Sequence, residues 1–239
     1  MVLSCVGIGK HFGGFVVLHE VALAIGRAEI LGVAGPNGAG KTTLFDILSG
    51  HVRQDAGRVE LNGRDITNAP AYARARLGLA RTFQSPLVPS SLTVRETLAA
   101  ACSAWSPKLG TTEVGKARSL ARFEADDRRV SAELDTLDRR KLLLACVLMR
   151  GPTVLMLDEP CSGLMQEEID EIDQIIRDIR DETQASVIVV EHRLELLTAI
   201  AERVAVLDEG RKIAEGPPAE VFDDPVVRAA YFEAPGKAA

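Results

Sequence analysis

Residues 35–43 read Gly-Pro-Asn-Gly-Ala-Gly-Lys-Thr-Thr, a complete loop of the form G-x-x-x-x-G-K-[ST]. An apolar run, Ile30-Leu31-Gly32-Val33-Ala34, leads into it, and a helix-compatible stretch from Thr42 to Leu48 leads out. Strand, glycine loop and helix, in that order, give the loop its physical meaning and commit this part of the chain to a βα unit. Gly35, Gly38 and Gly40 reach backbone angles closed to other residues. With Pro36, Asn37 and Ala39 between them, their main-chain N–H groups can wrap a polyphosphate. The start of the following helix, through Thr42 and Thr43, adds a partial positive charge. Lys41 supplies a full charge to the β- and γ-phosphates, and the Thr42 hydroxyl suits a Mg²⁺ ion. The loop therefore points to a nucleoside triphosphate with Mg²⁺.

The rest of the chain limits what can surround that unit. At 239 residues it is long enough for one large α/β core with a small satellite. A net charge of −6 argues against a surface that wraps nucleic acid, which needs clustered Lys and Arg, so no nucleic-acid partner is expected. The basic run Arg139-Arg140-Lys141 reads as a solvated helix face. Cys5, Cys102, Cys146 and Cys161 lack the paired spacing of a zinc site and sit in or beside apolar stretches, as reduced cytosolic thiols do. The longest apolar runs, such as 142–149, fall far short of the ~20 residues that cross a bilayer, and no secretory signal is visible. If the protein works at a membrane, another chain does the spanning.

Strand-like and helix-like segments alternate, the pattern of a mostly parallel sheet covered by helices. Residues 2–8, 16–25 and 57–62 read as strands beside the loop-bearing strand, and 69–79 as a basic helix. Residues 153–157 and 186–190 are short, continuously apolar runs, as expected of strands buried on both faces. Between them 166–183 is strongly helical, with Ile169, Ile172, Ile175, Ile176 and Ile179 on one stripe. Residues 85–149 break the alternation and read as helices only (93–102, 116–130 and 136–149) with a join at 106–112. The expected organisation is a core of 1–84 and 150–215, a helical subdomain at 85–149 and a helical tail at 216–239.

Two further strand ends carry chemistry. Val154 to Leu157 run into Asp158-Glu159-Pro160. Asp158 can hold Mg²⁺ through water, and Glu159 stands where it can polarise the water that attacks a γ-phosphate. Val190-Glu191-His192 brings an imidazole to the same sheet edge, and Phe83-Gln84 precedes the helical stretch, from which Gln84 can reach the ion or the water.

Together these residues resemble the ATP-binding subunit of an ABC transporter. The resemblance runs through 35–43, Ala80-Arg81-Thr82-Phe83-Gln84, 155–160 and 190–192 in the family's order and covers the whole chain. It looks nearest to subunits serving uptake of branched-chain amino acids, urea and amides, on His11-Phe12-Gly13-Gly14-Phe15, on 81–87, on 92–98 and on the tail at 215–232. The resemblance implies a P-loop α/β fold with an inserted helical subdomain. It implies that Phe12 stacks on adenine, Gln84 lines a coupling loop, Glu159 is the catalytic base and His192 contacts the γ-phosphate. It also implies integral-membrane permeases, a second ATPase subunit and an extracytoplasmic solute-binding protein as partners, and a place on the inner face of the cell membrane.

One family motif is degraded. Where the family has Leu-Ser-Gly-Gly-Gln at the start of the helix after the insert, this chain has Leu134-Asp135-Thr136-Leu137-Asp138. Asp135 is placed to cap that helix, with Asp138 three residues on, so the helix start would satisfy itself instead of a phosphate. Met165 stands where the family has Asp, and Cys146 where it has Arg. What the chain gives its own nucleotide is intact; what it gives a partner's is not. A heterodimer with a similar ATPase subunit is the expected arrangement, a homodimer the other, and a weakly hydrolysing regulatory subunit the rival reading.

Overall fold

The computed structural model describes residues 1–84, 88–103 and 110–232, without the side chain of Phe232. The parts of the expected motif at 85–87, join at 106–109 and tail at 233–239 lie outside these residues.

Six strands form the main sheet: β3 (Ile30–Ala34), β6 (Leu79–Arg81), β7 (Val154–Asp158), β8 (Ser186–Val190), β9 (Arg203–Asp208) and β10 (Arg211–Gly216), in the order β10-β9-β3-β8-β7-β6. The pairs β9-β3, β3-β8, β8-β7 and β7-β6 are parallel and only β10 runs against its neighbour. Every residue of β3, β7 and β8 is buried, which explains their unbroken apolar sequence. On one face lie the helices α5 (Thr136–Leu148), α6 (Gln166–Thr183) and α7 (Leu194–Ile200). The isoleucine stripe of α6 is buried there as its spacing required. On the other face α1 (Lys41–Ser49) is clamped under a second sheet.

That second sheet corrects the expectation for the N-terminal strands. Its strands β1 (Leu3–Phe12), β2 (Phe15–Ile25), β4 (Ala56–Leu61) and β5 (Arg64–Asp65) pair antiparallel in the order β2-β1-β4-β5 and do not pair with β3. Leu3, Cys5 and Ile8 of β1 and Leu18, Val21 and Leu23 of β2 are buried while neighbouring residues are not. Such one-sided burial suits a sheet with one wet face, whereas β3 is covered on both.

The basic helix is α2 (Ala71–Arg76), shorter than 69–79. In the helical region stand α3 (Val94–Ser103), α4 (Thr111–Leu120) and α5. The expected helix at 116–130 is wrong in both bounds: Thr111 and Thr112 are helical, and 121–130 is not. Arg122 takes a left-handed φ of 50°, and Phe123 N–H reaches back to Arg118 O at 2.9 Å, which ends α4. The chain then returns beside the start of α3, where Val94 N–H donates to Arg129 O at 2.9 Å. The tail makes α8 (Pro218–Asp223) and α9 (Pro225–Phe232), broken at Pro225, with Val221 and Val227 buried against the core. Among the described residues no helix is long and apolar enough to cross a membrane, and Cys5, Cys102, Cys146 and Cys161 are free thiols.

Candidate functional site

The loop 35–43 lies between β3 and α1 and is locked from behind. Gly35 has φ 147°, and a Cβ there would fall 2.1 Å from Leu207 O. Gly40 has φ 98° and would meet Leu18 Cδ2 at 2.7 Å and Val17 O at 2.9 Å. Only glycine fits either position, so β2 and β9 fix the path of the loop. Gly40 is the cap residue of α1 and offers no side-chain hydrogen bond, so no side chain of its own covers the start of the helix. Lys41 is buried, and its ammonium donates to Gly35 O at 2.6 Å and Pro36 O at 3.0 Å. Pro36, Asn37 and Ala39 span the turn, and Thr42 and Thr43 open the helix, Thr42 exposed.

The parallel strands deliver the other groups to the same carboxyl edge. Asp158 ends β7, is buried, and receives Arg81 Nη2 on Oδ2 at 2.9 Å. Burial pushes its pKa up, and Arg81 opposes that shift. Glu159 follows with φ 46°, a left-handed angle that costs a residue with a Cβ about 1–2 kcal/mol. The backbone holds it there: Glu159 N–H donates to Val190 O at 3.0 Å and Arg140 Nη1 donates to Glu159 O at 3.0 Å. Gln84 Nε2 donates to Glu159 Oε2 at 2.7 Å. His192 is half exposed, with Nδ1 3.9 Å from Glu159 Oε1 and from Glu191 Oε2. Gln84, Glu159 and His192 thus gather at one point although 108 positions separate the first from the last. Phe12 stands apart from that cluster, 51 % exposed near the tip of the β1–β2 hairpin, with the Lys10 ammonium 5.0 Å from its ring centroid. Its exposure excludes a core role, and Phe15 opposite it is exposed too.

Asp158 and Thr42 are hard oxygen donors, Gln84 offers an amide oxygen, and the buried Asp158 carboxylate is already matched to a cationic group; this set fits Mg²⁺.

Four participants were not legible in the sequence. Arg140 and Lys141 are buried, so the basic run at 139–141 is no solvated face: Arg140 holds the carbonyls of Glu159 and Ser162, and Lys141 pairs with Glu171 at 2.5 Å. Arg81 bridges Asp46 and Asp158. Glu191 is fully buried, accepts Cys161 N–H at 3.0 Å and has its pKa raised by burial. Arg140, Lys141 and Arg81 are cations within segments that also supply core residues, the one signal that could have flagged them, since an unpaired charge is not buried.

At the degraded motif, Asp135 caps α5, its Oδ1 accepting Asp138 N–H at 2.7 Å. Asp135 and Thr136 are exposed and Leu137 is half-buried. The Asp138 pKa is raised by burial and by Asp135, against Lys141 and Arg129.

Comparison with known proteins matches this arrangement. The family model described as ABC transporter covers residues 18–162, and one for branched-chain amino acid ATP-binding cassette transporters covers 211–232. The high-affinity branched-chain amino acid transport ATP-binding protein LivG of Salmonella typhimurium is 32 % identical over 96 % of this chain and 97 % of its own length. The lipopolysaccharide export system ATP-binding protein LptB of Acidithiobacillus ferridurans is also 32 % identical, over 96 % of each chain. Among solved structures, MJ1267, an ATP-binding cassette of an ABC transporter in its ADP conformation, superposes with a TM-score of 0.87 at 26 % identity over 96 % of this chain and 98 % of that one. With an intact phosphate loop, the strand-end carboxylates and the helical insertion all in place, the chain belongs to the ABC transporter family, as one of its ATP-binding subunits.

Proposed function

We propose that the chain binds and hydrolyses ATP to power an importer of branched-chain amino acids or a similar small polar solute. The observation that carries this reading is the convergence of Gln84, Glu159 and His192 beside the phosphate loop, with Gln84 bonded to Glu159 at 2.7 Å. Glu159 polarises the attacking water, Gln84 orients the Glu159 carboxylate, and His192 faces the γ-phosphate. Lys41 exchanges its loop carbonyls for phosphate oxygens, and Phe12 stacks on the adenine. Bound between Thr42, Gln84 and Asp158, Mg²⁺ would neutralise charge on the β- and γ-phosphates.

The chain acts on the cytoplasmic face of the cell membrane with permease subunits, a second ATPase subunit and an external solute-binding protein. Core, helical subdomain at 85–149 and tail are its working parts. The match at 211–232 favours amino-acid uptake over the export system that LptB serves. One observation favours the rival, an ATP-binding regulatory subunit: the Asp135 carboxylate fills the helix start that would face a partner's nucleotide.

The test uses the chain assembled with its permeases and partner ATPase. Glu159→Gln is expected to keep ATP binding and abolish solute-stimulated turnover at this site, and Lys41→Ala to weaken binding itself. Equal turnover in wild type and Glu159→Gln overturns the assignment.

A further inference from the structure

Three elements meet at one guanidinium. Arg81 ends β6, and its side chain is 5 % exposed. Nη1 donates to Asp46 Oδ1 at 2.6 Å and to Ser49 Oγ at 2.9 Å, both on α1. Nη2 donates to Asp158 Oδ2, at the end of β7, at 2.9 Å. The ring centroids of Phe45 and Phe83 lie 5.6 Å and 4.9 Å from the guanidinium carbon. The elements so tied carry two of the site's three oxygen donors, Thr42 on α1 and Asp158 on β7.

We propose that Arg81 is a positioning residue for the metal half of the nucleotide site. By occupying Oδ2 it fixes the Asp158 carboxylate and leaves Oδ1 for the ion's coordination shell. By holding Asp46 and Asp158 together it sets the spacing between α1 and β7, and so between Thr42 and Asp158. This rests on the reading that Mg²⁺ and ATP bind there. The shape of the group matters as much as its charge. A planar guanidinium donates from two edges to two carboxylates and a hydroxyl at once, while a lysine ammonium at the end of a flexible stem does not reproduce that fork. The two aromatic rings further restrict its rotation. A purely structural ion pair would lower stability when broken and leave the metal dependence of nucleotide binding as it was.

The experiment measures binding of a fluorescent ATP analogue to the full chain, first in excess EDTA and then across a Mg²⁺ titration. Wild type is compared with Arg81→Lys, Arg81→Met and Asp46→Asn. The phosphate loop is untouched in all three, so affinity in EDTA is expected to stay within about twofold of wild type, while both Arg81 variants raise the half-saturating Mg²⁺ concentration roughly 10-fold or more, the range for losing a group that orients a metal ligand. Asp46→Asn loosens only the α1 end and raises it less. A folded Arg81→Lys with wild-type half-saturation overturns the proposal. Should neither Arg81 variant fold, Asp46→Asn decides, and its unchanged half-saturation overturns the proposal equally. A wild-type chain that binds no nucleotide, or binds it without response to Mg²⁺, overturns the underlying reading instead.

Discussion

Restoring the degraded motif should raise activity and lower stability at once. In the fourfold variant Asp135→Ser, Thr136→Gly, Leu137→Gly, Asp138→Gln, the cap is kept, because serine accepts from the third N–H about as well as aspartate does. Two glycines in the first turn of α5 cost about 1 kcal/mol together, being near the helix end. Losing the half-buried Leu137 side chain costs about 1 kcal/mol more. Removing the Asp135–Asp138 repulsion returns a few tenths. The sum is a loss of about 2 kcal/mol, or roughly 4–8 °C in Tm for a chain of this length. Against it, under the proposed pairing each carboxylate removed from about 5 Å of a partner's γ-phosphate would relieve about 3 kcal/mol of repulsion at an effective dielectric near 20. Since about 1.4 kcal/mol is a tenfold change in rate, a gain of about tenfold is a modest demand on that relief. The assay is phosphate release by the isolated chain over a range of protein concentrations, beside a thermal melt of the same samples. A wild-type chain that already hydrolyses ATP at the restored variant's rate refutes the reasoning, as does a variant that gains activity without any cost in Tm.

Two further expectations concern the core. The Asp173 carboxylate has one oxygen buried without a partner, and burial raises its pKa from 3.8 to about 6 with Asp170 and Glu191 adding to the shift and Arg177 and Arg193 opposing it. The folded chain therefore holds more protons than the unfolded one between those values, so this group makes stability fall as pH rises from about 4 to 6 and leaves it level above. Asp173→Asn should remove that part of the slope and raise Tm at pH 7, and an unaltered Tm–pH profile would count against the assignment. In the tail, Val221→Ala with Val227→Ala empties two buried sites and should cost about 2–4 kcal/mol, read as a lower Tm with unchanged ATP affinity; an unshifted Tm would mean the tail does not pack as described.

What the sequence carried plainly was burial on a fixed period. Helix α6 was legible to its ends because five isoleucines sit on one stripe, and β7 and β8 because strands covered on both faces have no polar position to spare. The partner strands of β1 and β2 were not legible, because alternation tells which face is wet and says nothing about which neighbour pairs with it. The end of α4 turns on a left-handed Arg122, an angle that residue type does not advertise. Strand ends gave the shared sheet edge of Glu159 and His192 and the reach of Gln84, but not the Gln84–Glu159 contact itself, which joins residues 75 positions apart. Arg81 and Arg140 escaped for a related reason. A buried arginine is decided by carboxylates and carbonyls brought to it from other elements, Asp158 at a separation of 77 and Glu159 at 19.

The two helix starts that matter in this chain obey opposite local rules. Helix α1 begins at Gly40 with no side-chain cap, so no carboxylate covers its start, and the positive end of its dipole suits an anion. Helix α5 begins at Asp135, whose carboxylate takes the Asp138 N–H and adds a negative charge where an anion would have to come. A capped start stabilises an exposed helix by about 1 kcal/mol, so what weakens α5 as a phosphate site strengthens it as a helix. Under the proposed pairing each subunit presents its α1 to its own nucleotide and its α5 to its partner's. Two copies of this chain would then place an open helix start and a closed one at both nucleotides. A mixed pair would confine the closed start to one of them and leave this chain's own Gln84, Glu159 and His192 facing a nucleotide completed by the partner. The physical case for a dissimilar partner therefore rests on Asp135 and Leu137, and on the intact set around Glu159 that only such a partner would put to use.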